Sequence, residues 1–169
     1  TIDPDDAKDF DDAICLEHDG AHQWKLWVHI ADVSHYVQPG TALDEEAARR
    51  GNSTYLVDRV VPMLPEALSN ELCSLKPQVE RLTKCVEFLL AADGHVLKTR
   101  FYPAVIRSQR RYNYRDVFAL LQRRPADAIE QMLHEANALT QKIRRTRFKA
   151  GSLDLDFPET KIRLDEQGC

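Results

Sequence analysis

The chain has 169 residues, 43% of them hydrophobic and 30% charged, with a net charge of −4. That is enough for one domain with a real core, and the composition is ordinary for a soluble globular protein. No apolar run approaches the ~20 residues of a membrane span, no secretory signal pattern is visible, and the four scattered cysteines, none in a Cys-x-x-Cys, argue against a disulfide framework and a zinc ribbon. Reduced thiols and a cytoplasmic location are the expectation.

In chain order, Thr1–Ala13 reads as a loop, because Pro4 holds Asp3 extended and Asp favours turns. Asp12–Glu17 reads as a strand, His18-Asp19-Gly20 as a turn, and Trp24–Ala31 as a second strand rich in β-formers. The sequence thus predicts a hairpin with carboxylates at its entrance. Thr41 has the chemistry of an N-cap for a helix over Ala42–Arg50, with acids in its first turn and Gly51 at its end. Thr54–Val57 reads as a short strand. Val61–Pro65 is irregular, punctuated by two prolines, and Glu66–Leu72 predicts one or two helical turns.

Arg81–Ala92 and His95–Ser108 predict a long hairpin, with Asp93-Gly94 as a two-residue type I′ turn. Pro103 belongs on an edge strand or a bulge. Tyr114–Arg123 and Ala126–Lys149 read as helices separated by Pro125. In the second, Ile129, Met132, Leu133, Ala136, Leu139 and Ile143 make one apolar face. Leu153–Phe157 and Lys161–Leu164 read as strands. The fold class is α+β, mixed, with a mostly antiparallel sheet.

Charge is distributed unevenly. Residues 1–20 hold eight acids and one base, and six aspartates fall within the first thirteen positions. Residues 95–150 hold thirteen Lys/Arg against four acids. The pattern suits a polyanion drawn in by the bases and delivered to cations held by the acids.

Grouped carboxylates repel one another unless cations neutralise them. Mg²⁺ fits, because it takes hard oxygen ligands and shares them with substrate phosphates; Mn²⁺ is a possible substitute. An EF-hand is excluded by spacing. Counting from Asp3 puts Lys8 where Gly is required and Ile14 where Glu is required, and counting from Asp9 also fails. Zinc is disfavoured by the lack of His or Cys before Cys15. In an extended segment Asp9 and Asp11 face one way and Asp12 the other, so Asp3 and Asp12 could approach a metal from a different side. Such an arrangement suits a two-metal phosphodiester site. Without a cation, repulsion predicts a loosened loop.

Thr1-Ile-Asp-Pro-Asp-Asp-Ala-Lys-Asp-Phe-Asp-Asp-Ala13 closely resembles the opening signature of the catalytic RNB domain of the ribonuclease II/ribonuclease R family. Val28–Val37, Ala48–Tyr55, Val61–Pro65 and Leu68–Leu75 resemble further family blocks, in the family's order, and weaker similarity continues through Tyr114 and Gly151–Leu155. The resemblance is stronger to the ribonuclease R branch. It implies a processive, Mg²⁺-dependent 3′→5′ exoribonuclease that degrades single-stranded RNA to nucleoside 5′-monophosphates, in a parent that is monomeric. It also implies that Asp3, Asp9, Asp11 and Asp12 are the metal-binding catalytic residues, with Asp11 closest to the chemical step. Tyr55 matches a base-stacking tyrosine and Tyr114 one lining the site. The second stacking aromatic of the family falls at Leu155, with Phe157 as a substitute. Asp5 and Asp6 read as supporting loop residues, and His29 and His35 as structural.

The family's domain is about twice this length. Both ends of the chain read as interior positions of a longer polypeptide, so residues 1–169 are expected to be the N-terminal part of the RNB domain. The flanking cold-shock and S1-type domains, and the part carrying a phosphate-contacting arginine, are absent from it. Weak or no activity in isolation is expected. The alternatives are a non-catalytic RNA-binding or scaffold module and, less favoured, a phosphatase or sugar-nucleotide enzyme built on Asp-x-Asp.

Overall fold

The computed structural model describes residues 1–155 and 157. A two-residue strand, β1 (Ile2–Asp3), leads into the acidic loop. The hairpin of β2 (Asp12–His18) and β3 (Gln23–Ala31) follows, as its composition predicts. Asp32 then caps a single turn, α1 (Val33–Tyr36), by accepting from His35 N at 3.2 Å. Helix α2 (Ala42–Arg50) has the predicted ends: Thr41 Oγ1 accepts from Asp44 N, and Gly51 takes a left-handed φ of 74°. Strands β4 (Thr54–Tyr55) and β5 (Val60–Val61) form a small hairpin of their own.

Residues Ala67–Leu72 are helical, but wound more widely than an α-helix: Cys73 N donates to Leu68 O, an i→i+5 bond of 2.8 Å. Then come β6 (Glu80–Ala91), β7 (Val96–Arg107), β8 (Tyr112–Asn113), α3 (Tyr114–Leu120) and α4 (Ala128–Lys149). The main sheet is antiparallel, ordered β2-β3-β6-β7, and a separate parallel pair joins β1 to β8. The class is α+β, and Pro103 sits on the outermost strand β7, where its missing N–H costs no ladder bond.

Two packing centres hold the fold. Leu139 of α4 closes on Leu16 and Leu90 of the sheet, with Met132, Ala136 and Ile143 beside it, so the predicted apolar face of α4 is the one buried. Full burial of each leucine contributes about 1.5–3 kcal/mol. The second centre joins Ala13, Ala31, Cys73 and Leu75, with Phe10 and Leu68 packed against it. It lies directly beneath the acidic loop.

Two sequence expectations are corrected. The β6–β7 connection is not a type I′ turn. That turn needs positive φ at both central residues, but only Gly94 adopts it, at 90°. Asp93 instead accepts from His95 N at 3.0 Å. Gly94 N donates to Ala91 O and Ala91 N to His95 O, and the strand register skips between Leu89 and Leu90. This is a three-residue loop with a glycine bulge, and it brings the tip under α4. The second correction is at the C-terminal end. Leu153–Leu155 and Phe157 form no strand; no described strand lies beside them, and Asp154 is instead held by Arg144 at 2.6 Å. The expected strand Lys161–Leu164 lies outside the described residues.

Candidate functional site

The acidic loop is braced by the core. Phe10 is packed into the lower centre. Ser74, almost completely buried, accepts from Phe10 N at 3.1 Å and donates to Lys8 O at 2.7 Å. Leu75 N donates to Phe10 O at 2.8 Å. From the other side the Arg111 guanidinium donates to Pro4 O and Asp5 O and lies over the Phe10 ring. These ties hold the loop at Pro4, Asp5, Lys8 and Phe10, between Asp3 and Asp11.

The result is a convergence of three carboxylates. Oxygens of Asp3, Asp11 and Asp12 all lie within 4.8 Å of one another. Asp3 is delivered by β1 and is buried, and its Oδ2 has no hydrogen-bond partner among the described residues. Asp11 and Asp12 are exposed, at the start of β2. Although Asp12 stays open to solvent, partial desolvation of its carboxyl, then the charges of Asp11 and Asp3, raise its pKa. Asp9 lines the same cleft but lies outside this trio. The trio thus groups Asp11 with Asp3 and Asp12 rather than with Asp9, unlike the expected division of Asp9 and Asp11 against Asp3 and Asp12.

A buried, unpartnered carboxylate oxygen beside two more carboxylates, with no His or Cys among them, is a donor set for a hard divalent cation. The residues fit Mg²⁺ or Mn²⁺.

The cleft around this trio has a volume of about 700 Å³. Tyr55 and Tyr114 both line it, and both are strongly exposed, at 72% and 61%. Tyr55 comes from the β4–β5 hairpin. Tyr114 arrives because β1 pairs with β8, setting Asp3 opposite Asn113, which caps α3 by accepting from Asp116 N at 2.7 Å. The pairing thus joins two predicted site residues more than a hundred positions apart. Leu155 and Phe157 are exposed but do not line the cleft.

None of the Lys/Arg side chains of residues 95–150 lines it. Arg100, Arg110, Arg123 and Arg144 are engaged with Glu87, Asp127, Glu130 and Asp154. Among the described residues the only basic side chain on the cleft wall is Lys8. His29 is half-buried, with Nδ1 3.4 Å from Thr83 Oγ1 and its pKa lowered by burial, and it is not a cleft residue. Sequence reasoning missed Ser69 and Asn70, which the wide helical turn brings to the cleft wall.

The fold is thus an antiparallel sheet flanked by helices, with a cluster of three carboxylates from β1 and the entrance of β2 set in a cleft walled by two tyrosines. The chain matches the model of the RNB domain over residues 1–169, and it belongs to that family. It is 45% identical over 173 residues to Ribonuclease R of Thermotoga maritima, an alignment that covers 99% of this chain and 24% of that protein. Mycoplasma genitalium RNase R in complex with double-stranded RNA superimposes with a TM-score of 0.90 at 37% identity, over 99% of this chain and 30% of that one. Yeast Ssd1, a pseudonuclease, shares the fold alone, with a TM-score of 0.72 at 20% identity, over 82% of this chain and 17% of its own. The chain therefore spans about a quarter of the length of the curated relatives it matches.

Proposed function

We propose that this chain is the metal-binding part of a 3′→5′ exoribonuclease that hydrolyses single-stranded RNA to nucleoside 5′-monophosphates. The observation that carries the reading is the Asp3–Asp11–Asp12 trio, with its buried unpartnered oxygen, in a cleft walled by Tyr55 and Tyr114. Asp3, Asp11 and Asp12, with Asp9 beside them, would hold Mg²⁺, for which Mn²⁺ could substitute. Bound there, a divalent ion supplies an activated water and charge stabilisation of the leaving 3′-oxygen. The aspartates orient the water toward phosphorus. The new P–O bond forms as the P–O3′ bond breaks, releasing a 5′-monophosphate and leaving a 3′-hydroxyl on the shortened strand. The two tyrosines hold bases by stacking, which tolerates any sequence and contributes about 1–3 kcal/mol per base.

A second reading, a module that binds RNA without cutting it, is favoured by one observation: Lys8 is the only cationic side chain on the cleft wall among the described residues, so the scissile phosphate lacks an arginine partner here. The fold shared with a pseudonuclease is compatible with it. Asp11→Asn in the complete polypeptide separates the two. Under the nuclease reading it abolishes release of monophosphates and leaves RNA binding intact. Monophosphate release at the wild-type rate would refute the assignment, and a wild-type protein that binds RNA and never shortens it would establish the second reading.

A further inference from the structure

The cleft has a third wall, different in chemistry from the carboxylates and the tyrosines. It is the wide helical turn Ala67–Leu72, which puts Ser69 and Asn70 on the lining. The winding follows from the apolar residues. Leu68 packs against the lower core and Cys73 is part of it, five positions on. An α-helix aligns residues three and four apart, not five. The i→i+5 bond from Cys73 N to Leu68 O brings both to the core side, and the polar pair between them is turned to the cleft. Helical segments of this kind are rare and concentrate at functional sites.

The pair is internally arranged. Ser69 Oγ donates to Asn70 Oδ1 at 3.2 Å. The amide carbonyl is thereby engaged, while the amide NH₂ makes no hydrogen bond among the described residues. Both residues are half-buried, so this donor sits in a partly dry wall where a hydrogen bond counts for more than in bulk water.

We propose that Asn70 contacts the substrate by donating from its NH₂ to a ribose 2′-oxygen, and that Ser69 positions it. The inference rests on reading the cleft as a ribonuclease site. A nucleotide in the cleft presents three groups. The phosphate goes to the carboxylate-bound cations and the base to the tyrosines, so the sugar faces the remaining wall. A neutral amide suits that place, since it neither competes for the cation as a further carboxylate would nor pairs with the aspartates as a lysine would. The 2′-hydroxyl is also the group by which a protein tells RNA from DNA.

The test uses the complete polypeptide with Mg²⁺ and a set of single-stranded oligoribonucleotides, each carrying one 2′-deoxy substitution near the 3′ end. Wild type slows at one particular deoxy position. Asn70→Ala lowers the rate on all-ribose RNA by about tenfold, the worth of one good hydrogen bond, and removes the deoxy penalty at that position alone. Ser69→Ala gives a smaller loss with the same positional signature. A merely structural role for Asn70 would slow every substrate equally and leave the deoxy penalty in place, and that result overturns the proposal. Unchanged rates in Asn70→Ala overturn it as well. Failure of the ribonuclease reading is distinct: it shows as undiminished hydrolysis in Asp11→Asn, or as no hydrolysis by wild type.

Discussion

Ser74 should control how firmly the acidic loop is held, although its side chain touches no carboxylate. Its hydroxyl makes two bonds to the loop backbone, from Phe10 N at 3.1 Å and to Lys8 O at 2.7 Å. Ser74→Ala removes both without changing the backbone or opening a large cavity. A hydrogen bond contributes a net of about 0.5–1.5 kcal/mol. Two such bonds sum to about 1–3 kcal/mol, and because Phe10 is half-buried and Lys8 exposed water repairs part of the damage, so the loss should fall in the lower half of that range. For a domain of this size that lowers Tm by about 2–4 °C per kcal/mol.

The functional effect should be larger than the stability effect. Asp9 and Asp11 flank Phe10, so a loop freed at Phe10 lets them wander. Loss of a group that orients metal ligands typically reduces affinity by about 10–100-fold. Urea unfolding without divalent ions gives the first number and calorimetric titration with Mn²⁺ the second. Stability within about 0.5 kcal/mol of wild type, the range of an indifferent surface substitution, together with unchanged Mn²⁺ affinity would refute the reasoning. It would mean that the Leu75–Phe10 bond and Arg111 hold the loop unaided.

Two other perturbations test the scaffold and the electrostatics. Gly94→Ala places a methyl at a φ of 90° and against Ile143, overlapping Cγ1 and 3.2 Å from Cδ1. It should cost about 2–5 kcal/mol from backbone strain and overpacking together, and Ile143→Ala in the same chain should recover only the overpacking part, measured as a non-additive double-mutant cycle by urea unfolding. Asp12 has a folded-state pKa raised by partial desolvation and then by Asp11 and Asp3. Its proton therefore stabilises the fold below the unfolded carboxylate pKa, and that contribution is lost as pH rises through the folded value. Asp12→Asn should then melt above wild type at neutral pH in EDTA, with the gap closing on acidification. A variant that melts at or below wild type at neutral pH would contradict the sign.

Much of the scaffold was legible because periodicity and caps act locally. The face of α4, the Thr41 cap, Gly51 and the edge position of Pro103 all follow from short-range rules. The turn at Asp93-Gly94 was misread because Asn/Asp-Gly dipeptides serve two loop types, and the loop tip lies against Ile143 of α4, which a local window does not contain. The parallel β1–β8 pair was invisible for the same reason. Two-residue strands carry no periodicity, yet this one sets Tyr114 beside Asp3. Ser69 and Asn70 stayed hidden because the sequence shows helical residues but not the wider winding that turns them outward.

The carboxylates illustrate the difference between composition and placement. Composition paired an acidic end with a basic half, as if the bases fed the acids. In three dimensions four of those arginines are engaged with acids away from the cleft, Glu87, Asp127, Glu130 and Asp154, and Arg111 is spent on the loop backbone. Among the described residues the cleft wall carries six carboxylates, three of them converging, and one lysine. A polyanion cannot enter such a cleft on side-chain electrostatics alone, since the aspartates would repel it. On the proposed function, divalent cations would therefore do two things here, neutralise the trio and attract the phosphate. RNA binding at the cleft should depend on them far more steeply than binding to the basic surface does, and the two contributions are separable by their opposite responses: divalent ions strengthen the first, while added salt weakens the second.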